Sequence, residues 1–187
     1  MPNFMKDALV LKAAQFAAKK HTGQTRNDRD KSPYIDHPKS VARIISEVGG
    51  IDDPQILAAA LLHDTLEDTE TTSEELKSAF GKRVCRLVEE VSDNKNLPKE
   101  VRKQRQIEHA AMISADAVLI KLGDKISNVK DVTDIPPADW SLERRKEYLD
   151  WAEAVIDNCS KVNSALERHF AEVLKEGRRL LREAWEC

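Results

Sequence analysis

Seven apolar residues in a row, Ile56-Leu57-Ala58-Ala59-Ala60-Leu61-Leu62, run directly into His63-Asp64-Thr65-Leu66-Glu67-Asp68. A helix that is apolar on every face has no side to offer water and belongs at the centre of a bundle. The acidic run therefore begins where the chain leaves a core. With about 3.6 residues per turn, His63 with Glu67, Asp64 with Asp68 and Asp64 with Glu67 fall on one helix face. Such groups repel or desolvate one another unless a cation sits among them. A solvated helix end is the alternative reading, and the buried segment just before it favours the metal. His63 and Asp64 can both reach one ion, with Glu67 and Asp68 a turn further on, where an attacking water belongs. The arrangement suits hydrolysis.

Two further segments add to this reading. Pro33-Tyr34-Ile35-Asp36-His37-Pro38 is a short extended stretch entering a helix, with Pro38 in the first turn, where a missing N–H costs nothing. His37 thus stands at a rigid junction. In Val118 to Val129, apolar residues at 118, 119, 122, 126 and 129 have the spacing of a core-facing helix. Asp124 and Asn128 form a polar stripe beside that face.

His37, His63-Asp64 and Asp124 together resemble the H…HD…D pattern of HD-domain metal phosphohydrolases. The longer strings Pro-Tyr-Ile-Asp-His-Pro, Ala-Ala-Leu-Leu-His-Asp-Thr-Leu-Glu-Asp-Thr, Leu-Val-Glu-Glu-Val-Ser-Asp and Leu-Gly-Asp-Lys-Ile-Ser-Asn resemble a narrower group. That group is the hydrolase domain of the RelA/SpoT family, specifically its stand-alone small alarmone hydrolases. The resemblance runs from about His21 to Trp151. It implies an all-α HD-domain helical bundle with a single metal site, in which His37, His63, Asp64 and Asp124 hold one ion. Two imidazoles and two carboxylates suit a divalent first-row metal, and ligand type leaves manganese, zinc, iron and magnesium open. The resemblance implies Mn²⁺.

It also implies the reaction: removal of pyrophosphate from the 3′ position of guanosine tetra- or pentaphosphate, giving GDP or GTP and ending or tuning the stringent response. Glu67 and Asp68 are then the general base and the water-orienting group. Arg26, Asn128 and Tyr148 match positions on the substrate side. The chain departs from the family pattern at Asn27, where many relatives have a second basic residue, at Gly123, where Ala is usual, and at Ser127, where a larger residue is usual. Lys99 and Arg144 are candidate replacements for lost phosphate contacts. Two other readings remain open: an HD phosphatase acting on another nucleotide such as NADPH, and a catalytically silent nucleotide-binding module. Retention of Glu67 and Asp68 disfavours the silent module.

At 187 residues the chain is long enough for one hydrolase domain, with a core near 21–151 and C-terminal helices over 152–187. It is too short to add a nucleotide-synthesising domain. No apolar run approaches the roughly 18 residues of a membrane span, and Met1 to Asp7 lacks a signal-peptide core. A soluble, cytoplasmic protein is expected. Cys85, Cys159 and Cys187 form no metal or disulfide pattern and read as free thiols. A net charge of -3 argues against a nucleic-acid surface, and Arg102-Lys103-Gln104-Arg105 reads as a solvated helix face. Helices are expected over Asp7–Lys20, Pro38–Val48, a central one capped by Asp53-Pro54, a short one from Thr72 to Gly81, Arg83–Val91, Lys99–Ser114, one around Asp124, and two between Ser141 and Trp185 divided at Asn158–Asn163. Phe170, Leu174, Leu180 and Leu181 in the last of them are expected to serve packing or contact within a homo-oligomer.

Overall fold

The computed structural model describes residues 7–186, and among them the architecture is all-helical. The helices are α1 (Ala8–Lys20), α2 (Asp36–Glu47), α3 (Pro54–Leu62), α4 (Thr65–Asp68), α5 (Ser73–Phe80), α6 (Lys82–Val91), α7 (Lys99–His109), α8 (Ala115–Asp134), α9 (Leu142–Asp157) and α10 (Ser164–Glu186). The all-α expectation is borne out. Met1 to Lys6 and Cys187 lie outside the described residues.

Polar residues start most of these helices where unpaired N–H groups need acceptors. Asp7 accepts from Leu9, Asp53 from Gln55, Thr72 from Glu75, Ser114 from Ala117 and Ser141 from Arg144. Helix α3 is buried over Ile56 to Leu62 and packs against α1, α2, α6 and α8. That places it at the centre, as its unbroken apolar run requires. Helix α8 packs against α2, α3, α6, α9 and α10 and carries Asp124 on its cavity-facing side. Phe170, Leu174 and Leu181 of α10 are buried in the shared core, whereas Leu180 is only half-buried.

Several boundaries differ from expectation, among them four at α2, α3, α6 and α7. Helix α2 starts at Asp36 rather than Pro38, because the Asp36 and His37 amides turn onto the carbonyls of Pro33 and Tyr34 at 3.1 and 3.0 Å. His37 therefore sits inside the first turn. The central helix stops at Leu62, where His63 Nδ1 donates to the Ala60 carbonyl and Thr65 Oγ1 to the Leu62 carbonyl, both at 2.7 Å. Side chains that take backbone acceptors in this way compete with the helical ladder. Helix α6 begins one residue early, at Lys82. Helix α7 ends at His109 rather than Ser114, since Met112 N–H closes a turn onto His109 and Ser114 is committed to capping α8. The break between α9 and α10 falls at 158–163, as expected.

No helix among the described residues is long and apolar enough to cross a membrane. Cys85 and Cys159 are free and buried.

Candidate active site

His37 in the first turn of α2, His63 and Asp64 at the break after α3, and Asp124 in the middle of α8 meet at one point. His37 and His63 are 4% and 5% exposed, so neither ring is surface decoration. Ligand atoms of His37, His63 and Asp124 all lie within 4.8 Å of one another. His37 Nε2 is 3.2 Å and His63 Nε2 3.8 Å from Asp124 Oδ1. Asp64 lies outside that mutually close trio but beside it, with Oδ2 3.1 Å from His63 Nε2 and 3.8 Å from His37 Nε2.

The far side of each ring is fixed. His63 gives its Nδ1–H to Ala60 at 2.7 Å, and His37 Nδ1 lies 3.2 Å from Ser127 Oγ. Ser127 thus acquires a reason for being small and hydroxylic. Both rings turn Nε2 inward, and His63 Nε2 is buried without a hydrogen-bond partner. A buried polar atom normally has one. Imidazoles anchored at one nitrogen and bare at the other, beside two carboxylates, fit a divalent ion.

The electrostatics of the cluster favour ionised carboxylates. Burial opposes ionisation of Asp124, but Lys125 and the two imidazoles outweigh it and hold its pKa well below the ordinary carboxylate range. Burial likewise opposes ionisation of Asp64, and His63 and His37 outweigh it. Burial would keep His63 neutral, yet Asp64 and Asp124 raise its pKa to about 10. A proton or a metal ion must answer that negative charge.

Glu67 and Asp68 lie on α4 and both line the cavity, but their surroundings differ. Burial raises the Glu67 pKa to about 7, partly opposed by the Asp93 backbone N–H that donates to Oε1. One Glu67 oxygen is thus held. Asp68 is held at both oxygens, by Lys95 at Oδ1 and by Tyr34 at Oδ2. The Tyr34 phenol sits 2.7 Å from Asp64 Oδ2 and 3.1 Å from Asp68 Oδ2, so its single proton is shared between the two acids.

The cluster opens onto a cavity of about 630 Å³ whose wall includes Arg26, Lys95, Lys99, Arg102, Lys103 and Arg144. That size falls within the roughly 300–1,000 Å³ of small-ligand sites. Tyr148 lines it, 5.6 Å from the ring of Trp140 and 5.3 Å from that of Trp151. Arg144 lies 4.3 Å over the Trp140 ring. Arg102 and Lys103 thus face the cavity, whereas Gln104 and Arg105 are exposed, so only half of the expected solvated face is one.

Arg26 and Asn128 also reach this wall, but the protein already engages them. Arg26 donates to Asn128 Oδ1 at 3.1 Å and to Asp131 Oδ2 at 2.5 Å. Asn128 donates to Asp124 Oδ1 at 2.5 Å. Sequence reasoning passed over Tyr34, Asp93, Lys95 and Trp140. Tyr34 and Asp93 were within reach, the first three residues before His37 and the second closing the Leu-Val-Glu-Glu-Val-Ser-Asp string; Lys95 sits in a loop whose composition carries no signal.

With this geometry in place, comparison with known proteins becomes specific. A family model described as HD domain matches residues 13–150. The chain belongs to the HD-domain family. This HD-domain protein is 52% identical over 160 residues to guanosine-3′,5′-bis(diphosphate) 3′-pyrophosphohydrolase MESH1 of Xenopus tropicalis, spanning 86% of this chain and 89% of that one. It is 47% identical over 169 residues to the MESH1 protein of Homo sapiens, spanning 90% and 94%. A solved structure described as a metazoan ortholog of SpoT that hydrolyzes ppGpp and plays a role in starvation responses matches with a TM-score of 0.89 at 42% identity, covering 93% of this chain and 97% of that one. The resemblance to stand-alone SpoT-like proteins read from the motifs is borne out.

Proposed function

We propose that this HD-domain protein is a hydrolase of guanosine 3′,5′-bis(diphosphate) and its pentaphosphate. Water adds to the phosphorus attached to O3′, the P–O3′ bond breaks, and pyrophosphate separates from GDP or GTP. The observation that carries this reading is the meeting of His37, His63 and Asp124, with Asp64 beside them, and a half-free Glu67 at one end of a nucleotide-sized cavity lined by both acidic and basic side chains. The named activities of the MESH1 relatives agree with it.

His37, His63, Asp64 and Asp124 would hold one ion, and we take it as Mn²⁺. The ion supplies Lewis acidity toward the phosphoryl group and toward water. Glu67 acts as the general base: with its pKa near 7 it is substantially ionised at neutral pH and can still accept a proton. Asp68, fixed by Tyr34 and Lys95, orients the water. Arg26, Lys99 and Arg144 meet phosphate groups, Tyr148 and Trp140 offer faces to the base, and Asn128 links the substrate side to Asp124. The whole chain is taken as one hydrolase domain acting on a small nucleotide in the cytoplasm.

Phosphorus NMR of the reaction mixture tests this reading. A pyrophosphate resonance growing in step with GDP is the expected result. Release of orthophosphate alone would replace the reading with that of a nucleotide phosphatase acting on a substrate such as NADPH.

A further inference from the structure

Asp124 is followed by a lysine whose ammonium is buried. Lys125 is 3% exposed, and its Nζ lies 3.0 Å from Asp124 Oδ2. The same nitrogen stands 4.4 Å from the centre of the Trp151 ring. Trp151 is itself anchored: its indole N–H donates to the Lys103 carbonyl at 3.1 Å, and Lys103 Nζ lies 5.5 Å over the ring. A line of support thus runs from α7 through Trp151 on α9 to Lys125 on α8.

A buried ammonium is costly unless paired, and an aromatic face offsets part of that cost. Lys121, one turn earlier, is also buried and spends its Nζ on the Val91 carbonyl at 3.2 Å. Its like charge opposes Lys125, so Asp124 and Trp151 are what keep Lys125 in place. The consequence falls on Asp124. A carboxylate is symmetric about its last torsion, and either oxygen could face the imidazoles. Here Oδ2 is taken by Lys125, while Oδ1 faces His37 and His63 and accepts from Asn128.

We propose that Lys125, seated on Trp151, is a positioning residue that keeps Asp124 turned so that Oδ1 alone faces the imidazole pair. This rests on the metal reading above. Its effect on ion affinity has a diagnostic sign. Removing a positive charge from beside a cation site tightens cation binding by simple electrostatics. Removing a residue that orients a ligand weakens it, typically by about 10- to 100-fold.

The test is direct titration of the metal-free full-length protein with Mn²⁺, following the free ion by electron paramagnetic resonance. Lys125→Met keeps the apolar stem and removes the charge; its Mn²⁺ affinity is expected to fall by about tenfold or more, with Lys125→Arg restoring most of it. Unchanged or tighter binding in Lys125→Met overturns the proposal. If that variant does not fold, Trp151→Leu, which leaves both charges in place, is expected to weaken binding several-fold, and wild-type affinity in it overturns the proposal equally. A wild-type protein that binds no Mn²⁺ overturns the metal reading itself, which is a different result from a wild type and a Lys125→Met variant that bind alike.

Discussion

His63 gives its Nδ1–H to the carbonyl oxygen of Ala60 at 2.7 Å, which leaves Nε2 bare and buried beside Asp64 and Asp124. Those two carboxylates raise the pKa of the ring to about 10 against the effect of burial. In the metal-free protein at pH 7 to 8 the ring therefore carries a proton that an entering ion must displace. Loading should weaken as pH falls and strengthen as it rises toward 10. Calorimetric titration with Mn²⁺ in two buffers of different ionisation enthalpy should show about one proton released per ion. Loading without proton release would contradict this assignment of the charge.

Glu67 should set the acid side of the rate profile. Its pKa is raised to about 7, so the ionised base is lost as pH falls through 7 and gained above it. We expect kcat to climb through that range. Glu67→Gln should bind Mn²⁺ and nucleotide normally while losing about 10²-fold or more in kcat. Loss of metal in that variant would instead make Glu67 a ligand.

Tyr34 joins Asp64 to Asp68 through one phenolic proton. In Tyr34→Phe, Asp68 keeps only the partly exposed Lys95, and a surface ion pair holds a side chain weakly, at about 0–1 kcal/mol. We expect kcat to drop by roughly tenfold while KM changes little. A KM effect with kcat intact would move Tyr34 to the substrate.

Gly123 leaves no room for a side chain between α8 and α2. A Cβ there would lie 2.8 Å from Ile45 Cγ1 and 3.1 Å from Val41 Cγ1, both on the helix that carries His37. Alanine gains about 1 kcal/mol of helix propensity over glycine. Overpacking costs about 1–3 kcal/mol, so the clash should win. Gly123→Ala should lower Tm by a few degrees and weaken Mn²⁺ binding through His37. A variant with higher Tm and full affinity would show that Ile45 yields easily.

The burial of His63 and the nearness of Asp64 and Asp124 were legible because these residues follow or lie within apolar runs whose burial is forced, while His37 joined them through its Pro-flanked junction and the family resemblance. Ile56 to Leu62 cannot face water, and whatever follows at His63 must surface at the core's edge. The same reasoning placed α3 at the centre and α8 against it. What stayed hidden was the pairing within the site. Asn128 reads as a substrate-side group, yet its two amide ends are engaged by Asp124 and Arg26. The break at His63 was invisible because it comes from side chains taking particular carbonyls, which no periodicity encodes. Lys95 and the Asp93 amide reach the acids by chain reversal across a loop, a relationship fixed by tertiary packing alone.

The central claim is the substrate. The most direct measurement places guanosine 3′,5′-bis(diphosphate) and NADPH at equal concentration in one vessel with Mn²⁺-loaded protein and follows both by chromatography. Disappearance of the guanosine nucleotide first, with GDP and pyrophosphate formed in equal amounts, is the predicted result. Faster loss of NADPH, or release of orthophosphate only, would contradict it.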